Sequence, residues 1–294
     1  MTMAWQDVVF QYDGTFDGFL CCVYESYVYK EFPIAFCDDE ECWSLYAVRY
    51  VVTVREHARR VYRSITNISK PAADVLRRAF LTCMEDKECR LYAFVKKLYD
   101  EGAGFLRNQS DAVYYPIARA IRHMSGELEK LRGFVRFSDY GGILGAEIEP
   151  KNQVLPFLRR HFCDRYANET FFIYDRTHKE LLMYAKGKSR IVSVDNLQLS
   201  LPGDEEIHYR TLWKRFYETI AIKERYNPRC QNTFLPKRYR STMTEFLPAD
   251  GKIESQTAIP AAAPAASQVP GVPDGKPAPA TRPRSALSAP ESGI

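Results

Sequence analysis

Residues 133–148 read GFVRFSDYGGILGAEI, in which apolar and polar side chains alternate on either side of a Tyr-Gly-Gly turn. Such alternation around a glycine turn is typical of a β-hairpin. A helical pattern over 154–166 follows, and then three short strand patterns at 171–175, 180–185 and 190–194. Because tight turns join neighbouring strands in an antiparallel way, the sequence predicts an α+β protein with an antiparallel hairpin-helix-three-strand unit.

The chain before this unit predicts a second set of elements. Strand patterns at 8–12 and 46–54 enclose a helical pattern and an irregular acidic connection at 30–44, and we expect the two strands to pair. From Arg55 the apolar spacing is that of helices. We therefore predict one globular domain with three parts, listed here by approximate bounds: 1–248 in all, a helical part at 55–132, a sheet part at 133–195 and C-terminal basic helices at 205–247.

The last residues differ in composition from the rest. The segment 249–294 contains eight prolines and almost no large apolar side chain, so it predicts a disordered Pro/Ala-rich tail. The whole chain of 294 residues is 46% apolar, which is enough for a sizeable core. It contains no apolar run of membrane-spanning length and no signal-type N-terminus, so we expect a cytoplasmic protein without membrane contact.

The eight cysteines form no CxxC pair and no radical SAM CxxxCxxC cluster. We interpret them as reduced, structural or incidental thiols. The alternative is a metal bound by Cys37 and Cys42 with a distant histidine. Our prediction is that the chain holds no metal and no cofactor of its own.

Basic and aromatic residues concentrate in Ile207–Arg240, which carries nine Lys/Arg and two Asp/Glu, although the net charge of the whole chain is only +4. Helical spacing predicts that Tyr209, Trp213, Phe216, Tyr217 and Ile220 share one buried face. Positive charge beside aromatic rings favours a phosphate backbone with stackable bases. The predicted nucleic-acid-binding residues are Arg210, Lys214, Arg225, Tyr226, Lys237, Arg238, Tyr239 and Arg240, with Tyr226 or Tyr239 stacking on a base.

A second basic zone is compatible either with nucleic-acid contact or with an ordinary solvated face. It consists of Arg119, Arg122, Lys130, Arg132 and Arg136.

Six polar side chains support a rival hypothesis, an enzyme acting on DNA. His123 and Glu127 lie one helical turn apart, where they could act as acid and base, bind a metal or form a surface salt bridge. Asp175 and His178 flank a turn, where Asp commonly bonds the backbone. The enzyme hypothesis requires all six to converge in one cleft. They are Tyr12, Asp13, His123, Glu127, Asp175 and His178.

Several motifs together resemble one bacterial family. They are YDGTFDGFL (12–20), ISKPAADVLRRAF (68–80), HMSGELEKLRGFVRF (123–137), PKNQVLPFLRRHFCDRY (150–166), FIYDRTHKE (172–180) and LWKRFYETIAIKERYNPRCQNTFLPKRYRSTMTEF (212–246). The family comprises proteins assigned to DNA metabolism or DNA repair and built on a domain of unknown function. Its members stand beside a radical SAM protein of DNA modification or repair, or are fused ahead of a uracil-DNA glycosylase-like domain.

This resemblance implies a DNA-associated role and a radical SAM partner, but no reaction. From it and the basic segment we expect a nucleic-acid-binding or adaptor subunit that presents DNA to a partner enzyme. The alternatives are the enzyme described above and a scaffold whose basic segment docks an acidic protein surface.

Overall fold

The structure of the protein is a computed structural model that describes residues 5–38, 44–195, 197 and 203–247. The described residues belong to the first of two units, Met1–Ile253. The second unit, like the whole predicted tail at 249–294, lies outside them. In the described part of the chain, no helix combines the length and the apolar composition that crossing a bilayer requires.

Three parallel strands form the first sheet, in the order β2-β1-β3. They are β1 (Gln6–Gln11), β2 (Glu31–Cys37) and β3 (Ala47–Tyr50), and α1 (Phe16–Tyr29) connects β1 to β2. The predicted pairing of the first strand with the one near 46–54 is confirmed as β1 with β3. The interpretation of 30–44 as an irregular connection is wrong for β2. Because β2 lies at the edge of the sheet, it tolerates Pro33, which weakened its strand pattern.

Four helices follow, as predicted: α2 (Arg55–Ile68), α3 (Lys70–Phe80), α4 (Lys87–Glu101) and α5 (Tyr114–Phe134). Ser69 separates α2 from α3, and its side chain accepts a hydrogen bond from the backbone N–H of Ala72 at 3.2 Å. The first hydrophobic core forms between these helices, α1 and the first sheet. Phe10, Phe19 and Phe94 are completely buried in it.

The second sheet is mixed, which corrects the predicted antiparallel unit. Its strands lie in chain order: β4 (Ser138–Asp139), β5 (Leu144–Ile148), β6 (Phe171–Asp175), β7 (Glu180–Ala185) and β8 (Lys188–Ser193). Their pairings are antiparallel except that of β5 with β6, which is parallel. The reason is α6 (Leu155–Arg165), a helical crossover that returns the chain to the starting end of β5. The fold is therefore mixed α/β.

The described C-terminal part consists of α7 (Asp204–Ile220), α8 (Pro228–Phe234) and three 3-10 turns, Lys223–Arg225, Lys237–Thr242 and Thr244–Phe246. The prediction that the aromatic stripe of α7 is buried is wrong, because this helix contains no buried residue. Four of the five stripe residues are exposed: Tyr209 by 59%, Trp213 by 42%, Phe216 by 52% and Ile220 by 58%.

A different face of α7 contacts the rest of the protein. Nη2 of Arg210 donates a hydrogen bond to Oγ of Ser138 at 2.6 Å. The ring of Tyr217 meets that of Phe246 edge-on, with 5.6 Å between the ring centroids. Arg210 and Tyr217 lie roughly a quarter turn around the helix from the four exposed stripe residues, so a flank of α7 rests on the body and those four residues do not.

Candidate functional site

The carboxyl ends of β5 and β6 meet at one edge of the second sheet because these strands are parallel. Open α/β sheets bind ligands beyond such ends. Asn152 follows β5, Asp175 is the last residue of β6, and His178 lies in the turn after it. Glu127 of α5 reaches the loop after β5. Polar side chains from three separate stretches of sequence therefore gather at this edge.

Glu127 is a buried carboxylate with three hydrogen bonds and one ion pair. Its Oε1 accepts from the backbone N–H of Lys151 at 3.0 Å and forms an ion pair with Nη2 of Arg238, which lies 2.9 Å away. Its Oε2 accepts from the backbone N–H of Asn152 at 2.9 Å and from Nδ2 of the same residue at 2.6 Å. These bonds balance the cost of burying the charge. Glu127 thus ties α5, the loop after β5 and the 3-10 turn Lys237–Thr242 together.

His123 joins the same network through Asn152. Oδ1 of Asn152 accepts from the backbone N–H of Cys83 at 3.0 Å, which fixes the orientation of the amide. Its Nδ2 lies 3.3 Å from Nδ1 of His123. Since an amide nitrogen only donates, Nδ1 of His123 accepts, and the proton of the neutral ring lies on Nε2. His123 is exposed on α5, so the network reaches the surface there.

Asp175 and His178 form a second bonded group at the sheet edge. Asp175 is completely buried, and its Oδ1 accepts from the backbone N–H groups of Thr177 and His178 at 3.0 and 3.1 Å. This is the turn geometry that the sequence suggested. Its Oδ2 lies 2.7 Å from Nδ1 of His178 and orients the imidazole. Such an Asp-His pair positions the second ring nitrogen for proton transfer or binding.

The pKa of His178 is raised above its ordinary value. Burial alone would lower this pKa, but the hydrogen bond to Asp175 and the negative charges of Asp175, Glu180 and Glu127 outweigh it. A raised pKa in the folded state means that the charged histidine stabilises the fold fully below its unfolded pKa of about 6.5. That stabilisation is lost as the pH rises through the folded pKa.

We expect His178→Gln to destabilise the protein more at about pH 5.5 than at about pH 8.5, by more than about 1 kcal/mol, because the charged hydrogen bond exists only at the lower pH. Urea denaturation at both pH values measures the difference. His208→Gln, at an exposed position on α7, is the matched control. Equal losses at the two pH values would show that the Asp175–His178 ion pair does not stabilise the fold.

Tyr12 and Asp13 do not join this edge. Tyr12 belongs to the first hydrophobic core, and its hydroxyl donates to Oε1 of Glu88 at 3.1 Å. Burial, followed by the charge of Glu88, raises the pKa of Tyr12. Burial alone would raise the pKa of Asp13, but hydrogen bonds from Thr15 and Thr53 lower it overall. Asp13 holds the turn after β1 and Tyr12 packs in the first core, so four of the six predicted catalytic candidates come together and these two do not.

Three of the predicted phosphate-binding arginines have protein partners. Nε of Arg210 lies 2.7 Å from Oε1 of Glu206. Arg238 is paired with Glu127, and its guanidinium lies over the ring of Tyr239, 4.5 Å from the centroid. Nη2 of Arg240 donates to Oδ1 of Asn232 at 2.9 Å and to the carbonyl of Leu235 at 3.1 Å. These arginines fasten the C-terminal segment to the protein and to itself.

The other predicted nucleic-acid-binding residues are more accessible. Arg225 and Lys237 are exposed and Lys214 is half-buried, and none of the three forms an ion pair within the described residues. The side chain of Tyr226 is 73% exposed, whereas that of Tyr239 is only 3% exposed. A base therefore has access to the ring of Tyr226 but not to that of Tyr239.

The second basic zone divides in the same way. Arg132 pairs with Glu129 at 2.6 Å, and Nη2 of Arg136 pairs with the buried Glu245 at 2.9 Å. Arg119 and Arg122 are exposed on α5. Only part of this zone is thus open to a polyanion.

The sequence interpretation missed a third basic zone, on α2. It contains Arg55, Arg59, Arg60 and Arg63, and across the described ranges none of these four forms an ion pair. Arg55, Arg59 and Arg63 recur every four residues in REHARRVYR, so they lie on one helical face. That spacing was the available signal. The total charge conceals it, because acidic residues elsewhere offset these arginines.

The alternative of a cysteine-bound metal depends on one residue that lies outside the described ranges. Six of the eight cysteines are free thiols: Cys21, Cys22, Cys83, Cys89, Cys163 and Cys230. Cys42, which the metal alternative requires, lies outside the described residues. In the residues that are described, no three His, Cys, Asp or Glu side chains are grouped to hold a metal ion.

The fold and the edge site define a mixed α/β protein with a helical N-terminal half. Residues 85–245 match the family of DUF4130, a domain of unknown function. The match covers more than half of the chain, so the chain belongs to this family. No curated protein matches it. The matched region contains Glu127, its bonded partners and the Asp175–His178 pair, whereas the arginines of α2 precede it.

Proposed function

We propose that the protein is a non-catalytic adaptor of DNA metabolism that binds nucleic acid and docks a partner enzyme. The observation that carries this proposal is the exposed apolar face of α7. Monomeric proteins rarely expose large contiguous apolar patches unless these patches bind something. The name "α7 face" is used below for Tyr209, Leu212, Trp213, Phe216 and Ile220.

The chemistry of the α7 face favours a protein as its partner. Trp213 and Phe216 stack on each other, with 5.7 Å between ring centroids and 27° between ring planes. Leu212 and Ile220 are 47% and 58% exposed beside them. An aliphatic side chain gains little from a nucleic-acid base, but it gains from an apolar groove. An amphipathic helix that lies in such a groove uses residues at this spacing.

The partner that we propose is the radical SAM protein implied by the family resemblance. A radical SAM enzyme supplies the cluster-binding CxxxCxxC motif that is not found in this chain. An adaptor that docks such an enzyme through α7 need not perform a reaction of its own. This division of labour agrees with a carboxylate, Glu127, whose three hydrogen bonds and one ion pair all lie within the protein.

Nucleic acid is the second proposed ligand, and its support is electrostatic. Exposed cations without ion pairs among the described residues include Arg55, Arg59 and Arg63 on α2 and Arg225 and Lys237 near α8. Phosphate contacts of this kind make binding strongly dependent on salt. Arg210 and Arg238 contribute little to such contacts while Glu206 and Glu127 hold them.

The test is co-purification with the neighbouring radical SAM protein, followed by titration of DNA with each protein alone and with both together. We expect a stable complex, and tighter DNA binding by the complex than by either protein, because two linked sites bind one polymer more strongly than either alone. Fluorescence anisotropy at several salt concentrations measures the DNA affinity. Two proteins that neither associate nor change each other's DNA affinity would refute the adaptor proposal.

A further inference from the structure

A cavity of about 580 Å³ opens between α1, α2 and α3, before the region that matches the family. Pockets for small molecules have volumes of roughly 300–1,000 Å³, so a ligand as large as a nucleotide fits in one of this size. The cavity combines an aromatic floor with a cationic rim. Its lining residues are Phe16, Asp17, Leu20, Ala58, Arg59, Tyr62, Arg63, Thr66, Asn67 and Arg77.

The floor of the cavity is apolar and held in place. Leu20 and Ala58 are each only 1% exposed. Phe16 packs against Tyr62 at a centroid distance of 6.2 Å and against Phe80 at 5.2 Å. Both rings of the lining are half-buried, so each still presents part of its surface to the cavity. Rings that are fixed in this way offer a stacking surface for a planar base.

The rim carries three arginines with no protein partner within the described part of the chain. Arg59 and Arg63 lie one turn apart on α2, and Arg77 comes from α3. All three are exposed. Asp17 supplies the one carboxylate of the lining, so positive charge is in excess. Guanidinium groups bind phosphate oxygens in a bidentate way, and convergent arginines are the usual means of holding a phosphate.

We propose that this cavity binds one nucleotide unit, with its base against Phe16 and Tyr62 and its phosphate held by Arg59, Arg63 and Arg77. The inference rests on the proposed function, because it locates the nucleic-acid site of the adaptor. A base within a duplex is stacked between its neighbours and must leave the stack to enter. The cavity therefore takes a nucleotide from a single strand or from an unpaired position, or a free nucleotide with the same groups.

The experiment measures the binding of three probes by fluorescence anisotropy or calorimetry, using the full chain. The probes are a labelled oligothymidylate, an abasic strand of the same length, and thymidine 5′-monophosphate. The test variants are Arg63→Gln with Arg77→Gln, and separately Tyr62→Leu. The matched control is Arg119→Gln with Arg122→Gln, which removes two exposed positive charges from α5.

We expect the replacement of Arg63 and Arg77 to weaken oligothymidylate binding at least about tenfold. The control replacement of Arg119 and Arg122 should weaken it less than about threefold. Tyr62→Leu should weaken binding of oligothymidylate at least about fivefold but leave the abasic strand unaffected, because only the former has bases to stack. Thymidine monophosphate should displace labelled oligothymidylate from the wild-type protein, and inorganic phosphate should displace far less of it. Circular dichroism checks that the variants fold.

Some results would contradict the proposal that this cavity binds a nucleotide. Equal losses for the two arginine pairs would indicate general electrostatics, and equal competition by phosphate and by thymidine monophosphate would reduce the cavity to a phosphate site. If the pocket variants bind DNA as tightly as the wild type, the cavity is not the nucleotide site, although the protein still binds DNA. If the protein binds the mononucleotide through Arg63 but binds no strand, the cavity is a nucleotide site and the proposed DNA role is wrong.

Discussion

Replacing Glu127 by alanine is expected to lower the free energy of unfolding by about 3–5 kcal/mol, the usual range when one partner of a buried ion pair is removed. The substitution leaves the guanidinium of Arg238 and the backbone N–H groups of Lys151 and Asn152 without their acceptor. The backbone N–H of the buried Asn152 is then desolvated without compensation, whereas Arg238, which is 33% exposed, keeps some contact with water. Urea denaturation measures the loss, provided that unfolding is two-state.

A matched control lies one half-turn along the same helix. Glu129 pairs with Arg132 at 2.6 Å, but its side chain is 68% exposed. We expect Glu129→Ala to change the stability by less than about 1 kcal/mol, because exposed ion pairs contribute little. If the loss for Glu127→Ala were as small as this, the network would not be a structural tie. A double-mutant cycle with Arg238→Ala then isolates the contribution of their contact.

The order of elements in the second sheet was predictable from alternation and turns, but the direction of one pairing was not. The helix between β5 and β6 was recognised from its apolar spacing. Its consequence, a crossover that makes these two strands parallel, depends on which strands become neighbours. Tertiary packing decides that. The candidate site depends on this pairing, because only parallel strands bring Asn152 and Asp175 to one edge.

The basic C-terminal segment shows a second limit of prediction from the sequence. The positive charge of Arg238 is plain in the sequence, but its partner Glu127 lies in a distant helix. Counting charges within a segment therefore overestimates what is available to a polyanion. The orientation of α7 was missed for a related reason. Arg210 and Tyr217, which contact Ser138 and Phe246, orient the helix more strongly than its aromatic stripe does.

Replacing Trp213 and Phe216 together by alanine is expected to weaken the complex with the partner protein by about a hundredfold or more. Buried aromatic anchors commonly contribute about 2 kcal/mol or more each to the binding free energy of an interface. A difference of about 1.4 kcal/mol corresponds to a factor of ten in affinity. The stability of the isolated protein should change little, because both side chains are about half exposed in it. Calorimetry of the complex and urea denaturation of the variant measure the two quantities.

The control is a pair of equally exposed aromatic residues away from α7. Tyr50 and Tyr115 are 67% and 47% exposed, and their replacement by alanine removes a similar aromatic area. If this pair weakened the complex as much, general surface hydrophobicity would explain the binding. The DNA affinity of the isolated protein should be the same for the α7 variant and the wild type. A variant that kept the partner and lost DNA would instead make the α7 face a stacking surface for bases, because only then would its rings contact nucleic acid.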